Sequence, residues 1–338
     1  MSFLTTFAGA LVAAILLVLL VDPYGVVPFS LPIRRPIVSQ AQRHEYPKIV
    51  RSGEFDSFIV GTSTARLLDP EILNPLFHAR FANLAMNSAS AWEQARMIDF
   101  VRRHVGETKV LIIGVDWVWC AEHPARTIGA VGEFPEWLYD DNPWNDYAPL
   151  VNEPTVEVAV RIIGNHLGLY PEQIRSDGFE VLAPPERDYD PARARHDIWG
   201  GEPRKRPADQ PLPLSAQERR RLEFPALPWL EEVLGKFPTS TLKILAYMPV
   251  HVAAQPWPGT LGAAQEAECK DRIAAMARQR GAIVIDWRIR SPITTEDRNY
   301  WDSLHYRLNV AQRIARELAA AALEGIPSQE GDYRLVVR

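Results

Sequence analysis

Apolar and polar positions along the chain fall into three regimes. The first is one continuous apolar run, Phe3 to Val21 (FLTTFAGALVAAILLVLLV), uncharged and closed by Asp22-Pro23. Its length is near the roughly 20 residues that a helix needs to cross hydrocarbon. The second regime begins at residue 55, where short apolar runs alternate with helical periodicity. Phe55 to Val60, Phe81 to Met86, Lys109 to Val115 (KVLIIGV), Thr241 to Met248 and Ala282 to Asp286 read as buried parallel strands. Ala91 to His104 and Gly262 to Arg280 have helical spacing or composition, and a short helix is expected over Ala65 to Asp69. A last helix is predicted from Asn309 as N-cap, with Gln312 three residues on, through Ala322.

Five strands alternating with helices predict an α/β fold, a doubly wound three-layer α/β/α sandwich around a mainly parallel five-stranded sheet. The third regime, residues 120–238, interrupts this rhythm with Pro- and Trp-rich sequence. An insertion of that length between strands reads as a cap or binding lobe, because long structureless connections are uncommon. The expected organisation is therefore an anchor at 3–21, a linker at 22–54, the α/β domain at 55–325 and a tail at 326–338.

The ends of the apolar run bear on the address. Met1-Ser2 precede it and Val-Asp-Pro-Tyr-Gly follows, so it lacks the charged n-region and small-x-small site of a cleaved signal peptide. An uncleaved single-pass anchor is expected. Arg34 and Arg35 just beyond the span favour a cytoplasmic domain if the positive-inside rule is read strictly, but long domains translocate largely regardless of charge.

Composition removes several function classes. With 37 Lys+Arg against 42 Asp+Glu, a net charge of −5 and no long basic block, the chain is not expected to bind nucleic acid. Neither GxGxxG nor GxxxxGK occurs, which leaves nucleotide binding without support. The eight histidines include no HxH or HExxH, and no metal or cofactor is expected. Two cysteines, Cys120 and Cys269, either form one bridge in an oxidising compartment or remain two separate buried thiols.

An open α/β sheet places its chemistry beyond the carboxyl ends of the strands. Ser63 lies there, in Gly61-Thr62-Ser63-Thr64 after the first strand, where a helical N-terminus would offer N–H groups to a developing oxyanion. An N-cap role for Ser63 or Thr64 is the plainer alternative. Asp302 and His305 stand three residues apart before the last helix, a spacing that lets the carboxylate hold the imidazole's tautomer and leaves the other nitrogen as base.

Together, Gly61-Thr62-Ser63 and Asp302-Ser303-Leu304-His305 resemble, in order and position, the SGNH (GDSL-like) hydrolase superfamily. The likeness is closest to its membrane-anchored bacterial envelope branch, which includes polysaccharide O-acetyltransferases related to the alginate acetylation proteins. It covers residues 55–118 and 240–325. The resemblance implies Ser63 as nucleophile, His305 as general base, Asp302 as its orienting partner, and the Ser63 N–H as one oxyanion donor. The second donor falls at Asn87 or Ser88, with Asn87 preferred. At the third block, where the family presents an asparagine, this chain has Asp116 in Gly114-Val115-Asp116-Trp117. An ionised carboxylate cannot donate to an oxyanion, so for a donor worth about 3 kcal/mol either another group supplies it, or Asp116 contacts substrate, or the site is weakened.

Trp117, Trp119, Trp137, Trp144, Trp199, Trp257 and Trp301 offer faces that stack on sugar rings, but packing is expected for most, and Trp117 and Trp301, which flank the two aspartates, are the two expected at a pocket. Arg66 is a candidate contact for an anionic substrate or a plain solvated residue. Arg187, Arg193, Arg195, Arg204, Lys205 and Arg206 are interleaved with Pro, Asp and Glu and read as a mixed-charge loop.

The expectation is a membrane-anchored serine acyl-ester enzyme with its domain in the periplasm. It would act on an extracytoplasmic polysaccharide or another acyl ester, with a membrane O-acyltransferase as a possible partner. A non-catalytic envelope or glycan-binding component of the same fold is the alternative.

Overall fold

The computed structural model describes residues 2–124, 134–201 and 212–338. The apolar runs form β1 (Ser57–Val60), β2 (Phe81–Asn83), β3 (Val110–Val115), β4 (Leu242–Tyr247) and β5 (Ala282–Asp286). These five strands are parallel, in the order β2-β1-β3-β4-β5. Burial on both faces explains why they read as continuous apolar runs rather than alternating ones. Neighbouring strand residues divide between two cores: Phe58 and Val60 pack with the helices Gln42–Arg51, Ala91–His104, Glu153–His166, Leu227–Gly235 and Leu261–Arg280. Ile59 and Ile112 pack with Pro70–Phe77 and Leu308–Ala319.

The sheet differs from the expected one in having six strands. Arg334–Val337 of the tail forms β6, antiparallel to β5 at the sheet edge. This four-residue edge strand is half exposed and carries Arg334 at its start, so it lacks the apolar run that marks the inner strands. Phe81–Met86 is strand only as far as Asn83. The Asn83 amide donates to the carbonyls of Ala65 (3.1 Å), Arg66 (3.2 Å) and Leu68 (2.9 Å), tying the end of β2 to the turn after β1.

Other boundaries also move. Ser63–Ala65 is a single 3₁₀ turn, and the helix that follows is Pro70–Phe77 with Asp69 as its N-cap. The last helix starts at Leu308 with Arg307 in the cap position, so Asn309 lies inside the first turn. The 22–54 stretch is part of the domain, because Gln42–Arg51 is a helix with eight of its ten residues buried.

The described parts of the insertion pack on the frame at several places. Its helix Leu227–Gly235 packs on Ala91–His104, and its helix Glu153–His166 packs on the N-terminal helix. Its segment at Asp177-Gly178 lies along the outer edge of β2, where the Asn83 N–H donates to the Asp177 carbonyl (2.7 Å). A Cβ on Gly178 would come within 2.0 Å of the Asn83 carbonyl oxygen, and its φ of +82° favours glycine as well. Apolar side chains of the insertion such as Val158, Ile162 and Ile174 are therefore buried against the frame itself.

The apolar run forms the helix Ser2–Val21. Its first part stands clear of the domain, but Val18 and Val21 are buried. Arg35 Nε donates to the carbonyls of Val21 (3.1 Å) and Asp22 (2.7 Å), capping the helix's C-terminus with a cation. Cys120 and Cys269 form a disulfide, the first of the two sequence alternatives. A disulfide and an N-terminal apolar helix are consistent with a domain outside the cytoplasm.

Candidate active site

Two glycines allow the first loop to turn where it does. A Cβ on Gly61 would lie 2.9 Å from the Ala65 Cβ and 3.3 Å from the Gly114 Cα, and one on Gly114 would lie 2.8 Å from the Ala65 Cβ. Without side chains at either position, the Ser63–Ala65 turn settles directly over the ends of β1 and β3. Ser63 stands at the start of that turn, where N–H groups have no acceptor inside the helix.

The Asp302–His305 turn meets it from the other side. Asp302 Oδ1 accepts the N–H groups of Leu304 (2.7 Å) and His305 (2.9 Å), while Oδ2 lies 2.8 Å from His305 Nδ1. With Nδ1–H donating to the carboxylate, Nε2 carries the lone pair, and it lies 3.0 Å from Ser63 Oγ. Burial pushes the Asp302 carboxyl up, but its hydrogen bonds and the charge interaction with His305 outweigh this and hold it below its ordinary value. The Tyr306 hydroxyl donates to the Thr64 carbonyl, and Trp301 N–H to the His305 carbonyl (2.9 Å), so neighbours on both sides fix the two turns.

Behind this turn, the buried His251 donates its backbone N–H to the Ser303 carbonyl (2.9 Å) and sits with Nε2 3.2 Å from Asp297. Its ring packs edge-on against Trp199 and Tyr300.

A cavity of about 340 Å³ opens on Ser63. Thr62, Asp116 and Trp117 line it from the first and third strand ends, Ser88 and Ala89 from the second, and Val250, Gln255, Arg288 and Leu304 from the far side. Asp116 is buried, takes the Thr62 hydroxyl on Oδ2 and accepts Val118 N–H on Oδ1 (3.2 Å). Burial raises its carboxyl above the ordinary 3.8, more than Arg288, Thr62 and Val118 lower it. The disulfide ties the Trp117–Cys120 turn to the helix Leu261–Arg280, next to this wall of the cavity.

The structure thus brings together Ser63, His305, Asp302, Asp116 and Trp117. It does not bring in the others. Arg66, read as a solvated residue or an anion contact, is buried and is held by Glu180 and by Asn87 Oδ1 (2.9 Å). Asn87 is accordingly turned to Arg66, with its N–H on Gln42 Oε1 (2.7 Å), and Ser88 takes its place at the cavity. Trp301 packs edge-on against Tyr189 instead of lining the cavity. Trp119 is a core residue whose Nε1 donates to Gln94 (3.1 Å). Of the mixed-charge stretch, Arg187 and Arg193 pair with Asp188 and Asp197, while Arg204, Lys205 and Arg206 lie outside the described residues.

Arg288 was not singled out by the sequence, although it stands two residues past β5, where an open sheet places ligands. Its N–H bonds to Asp286 Oδ1 (2.8 Å), and its Nε to the Met248 carbonyl (3.3 Å). No protein-family model matches the chain, and no curated protein matches it in sequence.

Proposed function

We propose that the chain is a membrane-anchored serine acyl-ester enzyme of the cell envelope, with an SGNH-like three-layer domain in the periplasm. The observation that carries this reading is His305 set between Ser63 Oγ at 3.0 Å and Asp302 Oδ2 at 2.8 Å. Ser63 Oγ adds to the carbonyl carbon of an ester as its proton passes to His305 Nε2. The tetrahedral intermediate collapses, His305 returns that proton to the leaving alcohol, and an acyl-Ser63 remains. An acceptor hydroxyl then gives its proton to His305 and takes the acyl group. Asp302 keeps its negative charge throughout and stabilises the imidazolium.

Oxyanion stabilisation falls to the Ser63 N–H, and Asp116 stands in the cavity wall where the resembling family has its asparagine. The cavity has room for roughly ten water volumes, enough for an acetyl group and part of an acceptor. We read the reaction as acetyl transfer to or from an extracytoplasmic polysaccharide, with a membrane O-acyltransferase as acetyl source in the transfer direction. The test is turnover of a small chromogenic acetyl ester by the full chain in detergent, with and without an oligosaccharide acceptor. Turnover abolished by Ser63→Ala and by His305→Ala supports the reading, and acetylated oligosaccharide assigns transfer. Absence of both activities in a folded chain overturns it.

A further inference from the structure

The helix Glu153–His166 and the turn after it face outward with apolar side chains. Val160, Ile163 and Leu167 fall at i, i+3 and i+7 and are exposed, Leu167 at 69% and Leu169 beside it at 71%. The turn is built rather than loose. Leu169 N–H bonds to the Gly164 carbonyl (2.8 Å), Asn165 Nδ2 to the Tyr170 carbonyl (2.7 Å), and the Tyr170 ring occupies the space that a Cβ on Gly164 would need. Ordered backbone bonds thus hold two leucines out in the open.

The anchor's length says what covers them. Nineteen apolar residues make a helix of about 28 Å, no longer than the hydrocarbon it must cross, so its last turns lie within the bilayer or at its boundary. Burial in the domain begins within those same turns, with Val18 and Val21, and the element packed on this helix is Glu153–His166. The loop after the anchor lies at the same level. Leu31 N–H bonds to the Leu20 carbonyl (2.8 Å), and Phe29 is 62% exposed.

We propose that Phe29, Leu31 and the outer face of residues 160–169 rest in the acyl boundary of the membrane beside the anchor. The domain is then seated on the lipid surface rather than tethered above it. This rests on the anchor reading and not on the ester chemistry.

Both native cysteines are in the disulfide, so a single added cysteine carries a single label. Leu169→Cys and Phe29→Cys variants of the full chain would bear a fluorophore in nanodiscs of phosphatidylethanolamine and phosphatidylglycerol with spin-labelled acyl chains. Leu323→Cys, exposed next to Ala321 and Ala322 of the core on the other face of the sheet, is the reference. The expected result is severalfold stronger lipid quenching at Leu169 and Phe29 than at Leu323. Quenching at Leu169 no stronger than at Leu323 overturns the proposal. So does a label that is shielded in native membranes but unquenched in nanodiscs, which would assign the face to a protein partner. A chain that does not enter nanodiscs removes the anchor reading and this proposal together.

Discussion

His305 and Asp302 are joined twice: the carboxylate takes the ring's Nδ1–H on one oxygen (2.8 Å) and the His305 backbone N–H on the other (2.9 Å). One side chain therefore sets both the turn and the tautomer. Asp302→Asn keeps an oxygen for the backbone N–H groups but offers the ring an amide in place of a carboxylate. We expect the fold and KM to be retained and kcat on the acetyl ester to fall about a thousandfold or more. A loss of less than tenfold would detach Asp302 from the chemistry.

Asp116 ties stability to pH. Its carboxyl is raised in the fold above 3.8, so its contribution is complete below that value and is lost as pH rises through the folded value, where a buried charge must form. Asp116→Asn never carries the charge. The melting temperature of the variant relative to the wild type is expected to stay flat in acid and to climb as pH rises. A parallel pair of stability curves would contradict this.

Gly61 and Gly114 test the seating of Ser63. Alanine at either position brings a Cβ within 3 Å of the Ala65 Cβ. Such overpacking should cost about 1–3 kcal/mol in urea unfolding and, by moving the Ser63 turn, should lower kcat more than stability alone explains. Unchanged kcat in Gly61→Ala would show that the turn tolerates displacement.

The disulfide joins positions 149 residues apart in sequence. Cys120→Ser is expected to lose about 2–5 kcal/mol of stability. It should also loosen the Trp117 wall of the cavity, read as faster hydrogen exchange over residues 117–120. A reducing agent should shift the wild type's melting temperature as far as the substitution does.

The inner strands and the turns that carry Ser63, Asp302 and His305 were legible because each leaves a local mark: a continuous apolar run, a glycine-containing turn after a strand, and an Asp-x-x-His before a helix. β6 was not, since an edge strand of four half-exposed residues starting at Arg334 has no such signal. Arg66 and Asn87 were misplaced because the deciding partner, Glu180, lies 114 residues away in the insertion. Arg288 was missed for a related reason: only the sheet order brings the end of β5 around to face Asp116. The open question of the two cysteines closed only in three dimensions, where the turn after β3 meets the helix before β5.

The central claim is that Ser63 is a nucleophile activated by His305. Its most direct test is covalent labelling of the full chain with a fluorophosphonate, followed by peptide mass spectrometry. One adduct is expected, on Ser63, lost in His305→Ala and slowed in Asp302→Asn. Labelling of another residue, or equal labelling of Ser63 in the His305→Ala variant, would contradict it.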